Sequence, residues 1–113
     1  MLWWTAPEPL ATDMLSGCCL FMRRALIEEL GRVMDPRYPL YFEDTDLFLT
    51  LSRKGYKVMH HTRARILHHW SRSAIVGGQP GDGPTERYEI SRELYFKKFY
   101  GPLGRAIYRA MNA

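Results

Sequence analysis

The sequence predicts an α/β chain of short strands and helices, on three observations. Apolar runs too short for helices are bounded by glycine, proline or arginine, as in "SGCCLFMRR". Other stretches repeat apolar residues at helical spacing, as in "EDTDLFLTL". Glycine and proline punctuate the boundaries, most densely in "GGQPGDGP". At 113 residues the chain has the size of one domain with a modest core, so a single unit over 1–113 is expected. Its 46% hydrophobic and 25% charged residues are ordinary globular usage and exclude a disordered chain.

Taken in order, the start "MLWWTAPEPLATDM" has no basic leader region, and Pro7, Glu8, Pro9 and Asp13 interrupt its apolar residues. Neither secretion nor a membrane span is expected. The run Ser16 to Arg24 reads as a strand buried on both faces, bounded by Gly17 and two arginines. Cys18 and Cys19 are adjacent, so on a strand they leave opposite faces and a bond between them would be badly strained. Two buried thiols fit a reducing compartment, and a cytoplasmic protein is expected.

"ALIEELGR" places Leu26, Ile27 and Leu30 on one helical stripe and stops at Gly31, a natural cap. After the turn signals of "MDPRYP", Asp44, Leu47, Phe48 and Leu51 fall at i, i+3, i+4 and i+7 of a second helix, closed by Lys54 and Gly55. Asp44 heads the stripe, with Glu43 and Asp46 on its flanks. "YKVMHHTRARILHHW" reads as extended structure. Residues 74–85 form a Gly/Pro-rich flexible loop, and 86–113 two basic, aromatic helices split at Gly101-Pro102.

Several residue patterns admit two readings. Acids in a first helical turn are stabilised by the helix dipole by about 0.3 to 1 kcal/mol each, and that alone accounts for Glu43, Asp44 and Asp46. The sharper reading takes Asp44, over the buried stripe, as a general base, because an unpartnered carboxylate there is costly. The histidine pairs His60-His61 and His68-His69 split across strand faces, and no CxxC spacing supports zinc; a single histidine at a strand end can instead complete a carboxylate metal site. Arg23 and Arg24 are solvated charges or phosphate contacts. The stretch around Leu94, Tyr95, Phe96, Phe99 and Tyr100, amid Arg92, Lys97 and Lys98, is core packing or a surface for a membrane or partner. The net charge of +4 favours anionic partners.

The order of these motifs narrows the choice. From Ser16 to about Ser73, "SGCCLFMRR", a helix-Gly-Asp turn, "YFEDTDL", "GYKV" and "ARILHH" resemble the C-terminal, acceptor-binding half of family 2 glycosyltransferases of the GT-A fold, of rhamnosyltransferase type. "RELYFKKFYG" is a looser echo. The resemblance implies a partial GT-A fold, with region 16–73 on the acceptor side. It puts the catalytic base at Asp44, makes Glu43 and Asp46 neighbours that position base or acceptor, and makes His68 the histidine beside a metal-diphosphate; Ser73 matches the serine five positions on. The segment "AIVGGQPGDGP" falls where the family has a flexible loop, a lid or a passive connection.

The implied reaction is an inverting hexosyl transfer from a nucleotide-diphospho-sugar to a hydroxyl on a saccharide or glycolipid, in cell-surface polysaccharide synthesis. A divalent metal, Mn or Mg, is expected only in the complete enzyme. The family's nucleotide-binding half, with its Asp-x-Asp metal motif, has no counterpart in this sequence, so an acceptor half inactive alone is expected. That half would be a truncation, a remnant, or one piece of a split enzyme completed by a separate N-terminal chain. Peripheral contact with the inner face of the cell membrane is the family's habit. The rival reading is a small basic interaction domain that binds nucleic acid or an acidic membrane surface through its C-terminal helices; no RNA- or DNA-reading signature supports nucleic acid.

Overall fold

Residues 9–68 and 84–111 are described by the computed structural model. In chain order they form strand β1 (Leu10–Thr12), helix α1 (Arg24–Leu30), helix α2 (Glu43–Arg53), strand β2 (Val58–His60) and helix α3 (Pro84–Met111). These elements divide into two units. The first takes its described residues from Met1–Met34 and Asp44–His69, the second from Asp35–Glu43 and Trp70–Ala113.

In the first unit the stripe of α2 forms the core. Leu47, Phe48 and Leu51 are buried, and Leu15, Leu20, Met22, Leu26, Leu30, Val33 and Val58 pack on them. Each fully buried side chain of this size contributes about 1.5 to 3 kcal/mol. Gly31, with φ 71°, closes α1. At the end of α2 the Tyr56 N–H donates to the Leu51 carbonyl and the Gly55 N–H to that of Ser52, both at 3.0 Å. This paired closure needs a left-handed residue, and Gly55 has φ 81°. Glu29 of α1 accepts from Lys54 Nζ at 3.0 Å and from the Tyr56 hydroxyl at 2.5 Å, which ties the two helix ends together. The Tyr56 hydroxyl and the Lys54 ammonium hold the Glu29 carboxyl below its ordinary range.

β1 and β2 pair antiparallel, with Leu10 opposite His60, Ala11 opposite Met59 and Thr12 opposite Val58. Ala11 and Met59 are the exposed positions of the two strands, as pleat alternation requires. A ribbon this short is marginal in water, and Val58 anchors it to the α2 cluster.

The expected strand over Ser16 to Arg24 is absent: residues 16–23 carry neither strand nor helix before α1. Leu20 and Met22 pack on the core, whereas Phe21 is fully exposed and both cysteines are exposed. Burial is therefore on one face, the expectation of two buried thiols is corrected, and the argument from them to a reducing compartment falls. The physical reason is that a strand is defined by its ladder, and no described residue pairs with this segment. The extended stretch expected after Gly55 likewise pairs only over Val58–His60, and residues 61–68 have no regular structure.

In the second unit α3 is two helical segments meeting at Gly101 (φ 69°, ψ −166°), followed by Pro102. The segments fold back on each other. Phe96 stacks on Tyr108 with centroids 5.1 Å apart, the Tyr108 hydroxyl donates to Glu89 at 2.6 Å, and Arg105 and Arg109 both donate to Glu93. Pairs 12 to 19 residues apart cannot meet on a straight helix. Gly104 permits the close turn, since a Cβ there would lie 2.2 Å from that of Tyr100.

The segment Asp35–Glu43 is bound to α3 at three places. Asp35, buried, accepts from Arg37 Nε at 2.9 Å, from Arg37 Nη2 at 2.7 Å and from Lys98 Nζ at 3.1 Å. Ser91, with no exposed surface, donates its hydroxyl to the Leu40 carbonyl at 2.7 Å. The rings of Tyr41 and Phe42 lie 5.9 and 5.3 Å from that of Tyr88, and Phe42 lies 5.3 Å from Tyr95. The aromatic stripe of α3 thus serves packing within this unit.

Two outcomes are expected for stability. Ser91→Ala leaves the half-buried Leu40 carbonyl without that donor and costs about 1 kcal/mol, measurable as a lower urea midpoint at unchanged slope. The Arg37 hydrogen bonds, with help from Lys98, hold the Asp35 carboxyl well below the usual carboxylate range. A depressed folded-state value means stabilisation present above the unfolded value near 4 and lost as pH falls through the folded one. Asp35→Asn should therefore lower stability at neutral pH and flatten its decline below about pH 4 in urea titrations at stepped pH.

Candidate functional site

The approach to α2 is the least ordinary backbone among the described residues. Tyr41 and Phe42 both have φ 66°, a left-handed conformation that non-glycine residues rarely adopt and that costs about 1 to 3 kcal/mol each. It persists because the Ser91 hydroxyl and the rings of Tyr88 and Tyr95 over-determine it. Strain of this kind concentrates at functional positions, and here it immediately precedes the acids Glu43, Asp44 and Asp46.

Asp44 lies in the first turn of α2 and is half-buried. Its Oδ1 accepts from the Thr45 N–H at 2.7 Å and faces the Thr45 hydroxyl at 3.4 Å. Its Oδ2 accepts from the Gly17 N–H at 3.1 Å, a contact across 27 residues of chain. A Cβ on Gly17 would stand 3.4 Å from Met34 Cε and 3.5 Å from Asp44 Cβ, so the turn beginning at Gly17 rests directly on the carboxylate. Each carboxylate oxygen has about two acceptor directions, so this restraint orients the group and leaves acceptor capacity. Such a carboxylate has acceptor directions left for an incoming hydroxyl.

The other predicted residues are placed differently. Asp46, expected on a flank, is buried at 5% exposure, more deeply than Asp44. It lies about 200° round the helix from Asp44, so α2 is covered on a second face that its apolar stripe does not reveal. Thr50, one turn on, offers its hydroxyl to Asp46 Oδ1 at 3.4 Å. Glu43, the first residue of α2, is half-buried. His68 is exposed. Among the described residues no three His, Cys, Asp or Glu side chains converge as a metal-binding group, so the donor set of His68 with Asp44 does not by itself fit an ion. Ser73, His69 and the glycine-rich segment lie outside the described residues. Arg23 and Arg24 are exposed, and Arg24 is paired with Glu28 at 2.9 Å.

Three contributors escaped the sequence reading. In the sequence Gly17 reads as a strand boundary, and no local pattern marks its N–H as a donor to a residue 27 positions on. Ser91 carries no signal, since one serine in a helix is usually exposed. The left-handed pair at Tyr41 and Phe42 runs against residue preference, which no propensity argument can find.

The chain is similar to a rhamnosyltransferase over part of its length. N-acetylglucosaminyl-diphospho-decaprenol L-rhamnosyltransferase from two strains of Mycobacterium tuberculosis is 36% identical over 67 residues, 59% of this chain. That match spans 22% of the relative's own length. No family model and no solved structure matches the chain. Among the described residues no helix is long and apolar enough to cross a membrane.

Phe42 offers a test of the strained approach. In ordinary backbone glycine is worse than alanine; at φ 66° the order reverses, so Phe42→Gly should be more stable than Phe42→Ala by about 1 kcal/mol. Chemical denaturation of the two variants measures the difference directly.

Proposed function

We propose that the chain carries the acceptor side of an inverting glycosyltransferase of family 2 and GT-A type, with Asp44 as the general base. The observation that carries this reading is the fixed carboxylate: Asp44, at the head of α2 and restrained from outside the helix by Gly17. The partial similarity to a rhamnosyltransferase supports the same class, because that enzyme moves a sugar onto a lipid-diphosphate-linked saccharide. On this reading Asp44 takes the proton of an acceptor hydroxyl as its oxygen attacks the anomeric carbon, and the nucleotide diphosphate leaves from the opposite face. Glu43 and Asp46 shape the acceptor end of the site.

A polyprenyl-diphosphate-linked saccharide is the proposed acceptor class and a deoxyhexose such as rhamnose the proposed sugar, both by analogy with the relative's name. The donor site belongs to a nucleotide-binding half that acts together with this region. If a divalent ion supports departure of the diphosphate, ligands beyond those converging among the described residues must hold it.

The test couples binding to transfer. Titration calorimetry with uridine and thymidine diphosphate sugars and manganese is run on the chain alone and paired with a protein bearing a nucleotide-binding half. Transfer to an N-acetylglucosaminyl-diphospho-lipid is then followed in the pair. Asp44→Asn should abolish transfer, by about 10² to 10⁴-fold for loss of a general base, and leave donor binding intact. Full turnover by that variant would sink the assignment.

A further inference from the structure

Gly17 donates to Asp44 from a segment remote in sequence, and its role differs from that of the other contacts at that carboxylate. Thr45 is the next residue of the same helix, so its N–H and hydroxyl follow Asp44 wherever α2 goes. The Gly17 N–H is the one hydrogen-bond donor to Asp44 from outside α2 among the described residues. It fixes the carboxylate relative to the turn at residues 17–18, where both cysteines following Gly17 are exposed. A side chain tethered only to its own helix moves with that helix; one held from a second segment is also fixed relative to that segment.

We propose that Gly17 is a positioning residue: its peptide N–H holds Asp44 Oδ2 so that the remaining acceptor directions of the carboxylate point at an incoming hydroxyl. This rests on the reading of Asp44 as a general base. The requirement is for the N–H and not for the absence of a side chain. Gly17 has no left-handed φ, and the contacts a Cβ would make there, 3.4 Å to Met34 and 3.5 Å to Asp44, are ordinary van der Waals distances. Alanine keeps the donor and fits, whereas proline, or an ester in place of the 16–17 amide, deletes it.

Two measurements test this. In the full chain labelled with ¹⁵N, the Gly17 amide should be protected from hydrogen exchange, and Asp44→Ala should reduce that protection by about tenfold or more. An amide indifferent to Asp44→Ala overturns the contact. In the paired transfer assay, Gly17→Pro should lower kcat by about 10²-fold with the acceptor KM unchanged, and Gly17→Ala, which keeps the N–H, should lose at least about tenfold less than the proline variant. If the proline variant does not fold, the semisynthetic ester supplies the same comparison. Equal kcat with and without the N–H, or equal losses in alanine and proline variants, overturns the positioning role. Full turnover by Asp44→Asn removes the base itself and is distinguishable, because the exchange result is independent of transfer.

Discussion

A left-handed turn built from two aromatic residues is the constraint around which the second unit is organised. Tyr41 and Phe42 occupy backbone that L-residues avoid, and the acids of α2 begin at the next position. Nothing in their own chemistry holds them there. The restraint comes from α3, through the Ser91 hydroxyl on the Leu40 carbonyl and the rings of Tyr88 and Tyr95. A helix far along the chain thus determines the conformation of the residues that lead into Glu43. The rest of that unit serves the same end: Asp35 is clamped by Arg37 and Lys98, and α3 is folded on itself at Gly101 by its Glu89 and Glu93 contacts.

The first unit solves a different problem. Much of it lacks regular structure, so its stability rests on side chains converging on Leu47, Phe48 and Leu51 and not on backbone ladders. Leu20 and Met22 are held from a segment that pairs with nothing among the described residues, and Phe21 between them faces solvent. The same arrangement lays Gly17 against Asp44. A carboxylate restrained from a second segment has already lost rotational freedom before any ligand arrives, which is the physical advantage of pre-positioning.

Legibility followed the range of the interactions. The helices α1 and α2 were readable because stripe, cap and charge are local: Leu26, Ile27, Leu30 and Gly31 in one, Leu47, Phe48, Leu51 and Gly55 in the other. The strand expected at "SGCCLFMRR" failed because apolar content reports a wish for burial, while a strand also needs a neighbour. The burial of Asp46 was not legible for a related reason. Periodicity identifies the apolar face of a helix, but a polar face can be covered too, and only the surrounding chain decides that.

By itself, then, the sequence determined the glycine stops of α1 and α2, the break at Gly101-Pro102, the stripe that makes the first core, and Asp44 as the acid at its head. Each of these is set by residues within about two helical turns of one another. Only the tertiary structure decided that Ser91 and two tyrosines would hold a left-handed turn, that both cysteines would be exposed, and that the Gly17 N–H would meet Asp44. Those contacts join residues 27 to 51 positions apart, and no local pattern encodes which distant group will arrive.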